Sequence, residues 1–261
     1  MEYLFVFLTG LVFGSFANVI ISRLNTGESL IFGGSRCFFC GRNLRWFELM
    51  PLISFLVLRR KCRTCSGRIS WRYPLVELLS ATLFFLIWSE LSSDQLGQNP
   101  VLGVAAILFF WILLVISVYD LRHKIIPNQL VYPAIAVSIL FIILKTPSFE
   151  NLLLHLLSGL ALFSFFALLW LVSRGSWMGY GDAKLALALG FMLGWPASLT
   201  AFFLSFWIGA VYGLGWAFLE WMRGSKGIKG FQIPFAPFLF AGGFFAFLWG
   251  DHIISWYVSL I

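Results

Sequence analysis

Leu185 to Trp221 reads LALALGFMLGWPASLTAFFLSFWIGAVYGLGWAFLEW, 37 residues with a single charge at Glu220. One helix of that length would run about 55 Å, far more than a ~30 Å hydrocarbon core needs. Gly194-Trp195-Pro196 interrupts it. Proline removes a helix donor and crowds the preceding turn, so the stretch reads as two spans, roughly 183–195 and 198–221. Working outward, the other apolar runs are spans over roughly 4–22, 73–89, 101–120, 129–144, 152–173 and 233–256. The expectation is an all-α polytopic membrane protein with about eight transmembrane helices.

Composition agrees. Of 261 residues, 60% are hydrophobic and only 11% charged, a balance foreign to soluble domains. Thirty Phe and twelve Trp suit lipid-facing and interfacial surfaces. The first apolar run lacks a basic leader and an Ala-x-Ala cleavage site, so it reads as a retained span.

Net charge is +7, and its placement decides what it means. Of 18 Lys and Arg, 17 fall in 23–72, 121–128, 174–184 and 223–230, all on one side in the eight-span reading. Only Lys145 falls on the other. Such a bias sets topology and favours anionic membrane lipid as a partner, so no nucleic acid partner is expected. The basic side is then cytoplasmic and both termini lie outside. Small-residue pairs, Gly10/Gly14 and Gly209/Gly213, sit at the spacing that lets helices approach closely.

The only sizeable polar region, 23–72, holds all four cysteines, as Cys37-Phe-Phe-Cys40 and Cys62-Arg-Thr-Cys65. Two such pairs in one short segment match a tetrahedral structural zinc site. A segment of this size needs a staple, and nearby cations favour thiolates. Disulfides or a redox-active dithiol are the alternative, which a reducing cytoplasm disfavours. A closed four-sulfur shell leaves no catalytic position. The chain therefore divides into a first span (1–22), a small cytoplasmic zinc-binding domain (23–72) and a membrane core (73–261).

Two aspartates stand at the ends of apolar runs. Asp120 follows Ile112 to Tyr119, and Asp182 closes Gly179-Tyr180-Gly181-Asp182. A carboxylate at bilayer depth costs several kcal/mol by most estimates and is usually functional and paired. Both fall on the basic side. Taken singly, Asp182 is an N-cap for the helix after it, and Asp120 is a charge paired with Arg122 or Lys124. Neither account explains Gly179 and Gly181, which permit close backbone approach of a peptide. Two neighbouring carboxylates sharing one proton can activate water against an amide carbonyl. The histidines offer no competing constellation: His123 lies in a basic turn, His155 within an apolar span, and His252 at the far face.

These residues, in this order, resemble the bacterial type IV prepilin peptidases. The resemblance is carried by Gly14-Ser-Phe-Ala-Asn-Val19, both cysteine pairs, Trp46-Phe-Glu48-Leu-Met-Pro51, Leu58-Arg-Arg-Lys61-Cys62 and Ile69-Ser-Trp-Arg72-Tyr-Pro-Leu-Val-Glu77-Leu78. It continues through Asp120 with Ile126-Pro-Asn128, Gly179–Asp182, and Ile233-Pro-Phe-Ala-Pro-Phe238. It implies a GxGD-type aspartyl protease of the bacterial inner membrane, with Asp120 and Asp182 as the catalytic pair. Its substrates would be prepilins or pseudopilins, cut after a glycine on the cytoplasmic side to release a short basic leader. It also implies N-methylation of the new terminus with S-adenosylmethionine, for which Glu48 and Glu77 are the candidate contacts, and a cytoplasmic zinc domain. The chain departs from the family in two places: Ala236 stands where Pro-x-Gly-Pro has glycine, and Arg60 where Arg-Gly-Lys-Cys has it. No soluble methyltransferase fingerprint is visible. The alternatives are a peptidase without methyl transfer, a non-catalytic zinc-ribbon scaffold, and a membrane thiol oxidoreductase.

Overall fold

A computed structural model describes residues 1–93, 99–145, 148–223 and 233–259. Its long helices are α1 (Glu2–Arg23), α3 (Arg72–Ser93), α4 (Pro100–His123), α5 (Asn128–Lys145), α6 (Phe149–Ser173), α7 (Tyr180–Leu193), α8 (Ala197–Met222) and α9 (Ala236–Ser259). A 3₁₀ turn (Trp46–Leu49) and the short α2 (Ile53–Val57) lie between α1 and α3. These match the eight spans in order and place, and no strand occurs among the described residues. Among the described residues, six helices are long and apolar enough to cross a membrane: α1, α3, α4, α5, α6 and α8. The break at 194–196 falls where expected, with Gly194 at φ +69° ending α7. Of the basic residues expected at 223–230, Lys226 and Lys229 lie outside the described residues.

The chain forms two units, Met1–Gln98 and Asn99–Ile261. The division follows α3, so α3 belongs with α1 and the cysteine segment, whereas the sequence reading grouped it with the membrane core.

In the first unit α1 and α3 run antiparallel. A side chain at Gly10 would sit 2.6 Å from the Ala81 backbone, and one at Gly14 would sit 2.5 Å from the Glu77 backbone. The small-residue spacing therefore marks a true helix crossing. Buried Asn18 reinforces it by donating to the Tyr73 carbonyl at 3.1 Å.

The second unit is built around α4 and α7. Phe109, Phe110, Leu113, Val115 and Ile116 of α4 are buried, as are Ala183, Leu185, Ala186, Ala188 and Leu189 of α7. Helices α5 and α9 each pack on both. At 14 residues α7 is only about 21 Å long, short for a lipid-exposed span, but α5, α6 and α9 enclose it. In contrast, α8 presents Trp207, Val211, Leu214, Phe218 and Trp221 outward, as a lipid-facing helix does. His155 is a packed interior residue whose Nδ1 bonds the Phe191 carbonyl at 2.8 Å.

Candidate active site

Each interior helix of the second unit brings one carboxylate. Asp120 lies in the last turn of α4, 5% exposed, and Asp182 in the first turn of α7, 6% exposed. Both stand in one unit, and Gly181 beside Asp182 approaches Ile126, six residues after Asp120.

The structure corrects the local picture of both. Helix α7 starts at Tyr180, so Asp182 is the third helical residue and not the cap. Its Oδ2 reaches back to accept the Gly179 N–H at 3.2 Å. That leaves Oδ1 buried with no partner among the described residues. Asp120 forms no ion pair with Arg122 or Lys124 among the described residues. Its Oδ2 accepts the backbone N–H of Ala236, at the first residue of α9, at 3.4 Å. The positive end of the α9 dipole therefore faces this carboxylate.

The glycines take different roles. A Cβ at Gly181 would lie 2.7 Å from Ile126 Cβ, so its bare backbone lets α7 nest against the connection between α4 and α5. Gly179 has ordinary room for a Cβ, which would lie 3.5 Å from Asp182 Oδ2.

Three contributors had no clear signal in the sequence. The Ala236 amide acts through its backbone, which no side-chain pattern reveals. Ser117, one turn before Asp120, has its hydroxyl within reach of the Leu113 carbonyl at 2.7 Å and the Ala236 carbonyl at 3.2 Å, anchoring α9 to α4. Lys184 donates to Asn128 Oδ1 at 2.9 Å and sits over the rings of Tyr132 and Tyr180, tying α7 to α5. A lysine two residues after Asp182 in an apolar helix was the available hint.

The cysteines form a separate constellation in the first unit. The sulfurs of Cys37, Cys40, Cys62 and Cys65 all lie within 4.8 Å of one another, with Cys37 and Cys65 3.8 Å apart. Tetrahedral zinc–sulfur bonds of about 2.3 Å separate ligand sulfurs by about 3.8 Å, so the set fits that ion. Two matching knuckles present them. Cys37 N–H donates to Arg42 and Gly41 N–H to Cys37; Cys62 N–H donates to Gly67 and Ser66 N–H to Cys62. Gly41 and Ser66 hold the left-handed positions, at φ +68° and +56°. Gly67 instead lies under the Phe39 ring, where a Cβ would come within 2.5 Å.

The N–H groups of Cys65 and Thr64 pull the Cys62 thiol down to about 6. The Gly67 N–H draws Cys65 the same way, but burial and the neighbouring sulfurs outweigh it and push that thiol up to about 11. A bound cation would hold all four as thiolates.

Glu48 and Glu77 are both engaged within the first unit. Glu48 accepts a two-pronged bond from Arg42 at 2.7 and 3.1 Å and the Arg45 N–H at 2.9 Å, and these partners hold its carboxyl below the usual range. Arg42 follows directly on the first knuckle, so its bonds to Glu48 link that knuckle to the 3₁₀ turn. Glu77 accepts the Leu52 N–H at 2.8 Å.

Comparison with known proteins covers both units. Residues 8–91 match the bacterial peptidase A24 N-terminal domain, and residues 107–214 match the type IV leader peptidase family. The prepilin leader peptidase/N-methyltransferase of Aeromonas salmonicida (strain A449) is 34% identical, over 98% of this chain and 94% of its own. The Bacillus subtilis (strain 168) protein of that name is also 34% identical, over 98% and 97%. The Pseudomonas aeruginosa one is 33% identical, over 97% and 92%. No solved structure matches.

Proposed function

The chain belongs to the type IV leader peptidase family, and we propose that it cuts the leader from prepilins or pseudopilins with Asp120 and Asp182 as its water-activating pair. What supports this reading is two buried carboxylates in one unit, one on each interior helix, with Gly181 beside Asp182 set against Ile126, six residues after Asp120. A structural ion pair would join opposite charges; like charges placed together suit a shared proton. The ionised carboxylate takes a proton from water as it attacks the scissile carbonyl, and the protonated one hydrogen-bonds that carbonyl. Water exclusion around α4 and α7 strengthens both interactions. The pair titrates as a unit, so neither aspartate is assigned one role. Asp182 Oδ1, buried and without a partner among the described residues, is free to hold the water or the proton.

The basic bias supports a location of this face on the cytoplasmic side of a bacterial cytoplasmic membrane. The four cysteines bind one structural zinc that staples the 23–72 segment. The names of the relatives support a second activity, N-methylation of the new terminus with S-adenosylmethionine. The 23–72 segment is the only polar region large enough for a nucleoside-bearing donor, and Glu48 and Glu77 then shape that region from within. The non-catalytic scaffold leaves the paired carboxylates unexplained.

The deciding experiment incubates the purified full chain with a prepilin, alongside its Asp120→Asn and Asp182→Asn variants. Cleavage by the unaltered chain only is expected. No cleavage by any of them would overturn the peptidase reading.

A further inference from the structure

The cysteine segment carries a feature that neither cleavage nor metal binding uses. Ile31, Phe32, Phe38, Phe39 and Trp46 are each between 71% and 80% exposed. Phe38 and Phe39 form the tip of the first knuckle, where the second has Arg63 and Thr64. Apart from Phe39, whose ring covers Gly67, none of them has a place in the metal shell, and large apolar side chains left exposed along one short polar segment mark a contact surface.

The fold says where that surface lies. Asn18 in α1 bonds Tyr73 in α3, so the segment leaves and re-enters the helix pair at one end. The bond from Leu52 N–H to Glu77 ties the middle of the segment to the second turn of α3. The segment is therefore held against one end of this pair of membrane-crossing helices, the end that would meet the bilayer edge.

Charge indicates what it meets there. Residues 23–72 carry ten Lys and Arg against Glu28 and Glu48, and Glu48 is already bonded to Arg42. A substrate leader rich in basic residues would meet like charge, whereas anionic headgroups meet the opposite. We propose that the 24–71 segment seats its aromatic tips in the headgroup layer of an anionic bilayer, with its basic residues on lipid phosphates. This does not depend on the peptidase reading.

The test reconstitutes the full chain in phosphatidylcholine vesicles and in vesicles of phosphatidylcholine with phosphatidylglycerol. Trp46 fluorescence is isolated by subtracting the Trp46→Phe variant. In the anionic vesicles the Trp46 emission should shift to the blue, resist acrylamide and be quenched by lipids brominated near the headgroup. High salt should weaken these effects. Ile31→Ser combined with Phe32→Ser should reduce the shielding while zinc content, read by elemental analysis, stays unchanged. Trp46 open to acrylamide in both vesicles would overturn the proposal, and equal shielding in both would overturn the anionic preference. Shielding that appears only when a prepilin peptide is added would assign the surface to substrate and overturn it as well.

Discussion

The amide of Ala236 hydrogen-bonds the carboxylate of Asp120 at 3.4 Å, across 116 positions of sequence. The start of α9 thereby orients one of the two acids, with Ser117 securing the same residue by its carbonyl. Ala236→Pro tests this directly. Proline is tolerated at a first helical position but has no N–H. Losing a hydrogen bond to a charged group costs about 1.5–3 kcal/mol, so leader cleavage should fall roughly ten- to a hundredfold. Ala236→Gly keeps the donor and should retain most activity. Equal rates for the two variants, measured on one prepilin, would remove the amide from the site.

Asp120→Asn and Asp182→Asn should each lower cleavage by about a thousandfold or more, since neither leaves a pair able to share a proton and activate water. Both variants should insert and unfold like the parent. Retained cleavage in either would take that residue out of the mechanism.

Gly181→Ala should destabilise the second unit by about 1–3 kcal/mol, because its Cβ would lie 2.7 Å from Ile126. Ile126→Gly in the same chain, which removes the Cβ that would clash, should recover part of the loss, and a double-mutant cycle on thermal unfolding measures how much. Additive losses would show that the glycine is not required by that contact.

The purified chain should carry about one zinc, and Cys62→Ser should remove most of it. Chelation should open the 23–72 segment to proteases, because the ligand loops lose their staple. Arg42→Ala should loosen the same segment, since Arg42 joins the end of the first knuckle to Glu48 by two bonds. Elemental analysis and limited proteolysis read these outcomes.

The Asp182→Asn protein, given pre-cut pilin and S-adenosylmethionine, should still transfer methyl groups. Water activation needs the carboxylate pair, whereas methyl transfer needs an unprotonated amine held in line with a sulfonium. Loss of labelled methyl transfer in a folded variant would mean that the two activities share residues.

Much of this protein was legible in its sequence because a bilayer imposes simple rules. Span lengths, the Gly194–Pro196 break, the charge bias and the cysteine spacing all report on local chain chemistry, and eight helices appear where those rules put them. The two aspartates were visible because a carboxylate in an apolar run is costly. Their partners were not. Which N–H meets Asp120 depends on how α9 packs against α4, and Ala236 as a side chain says nothing of its backbone. Asp182 lies inside the first turn of α7, not before it, and there Gly181 nests on Ile126, a contact between segments 55 residues apart in sequence. Glu48 and Glu77 looked available in sequence and are engaged in the fold by Arg42, Arg45 and Leu52. Spacing and hydropathy are properties of a segment, but hydrogen-bond partnership belongs to the packed whole, so only the tertiary structure could decide it.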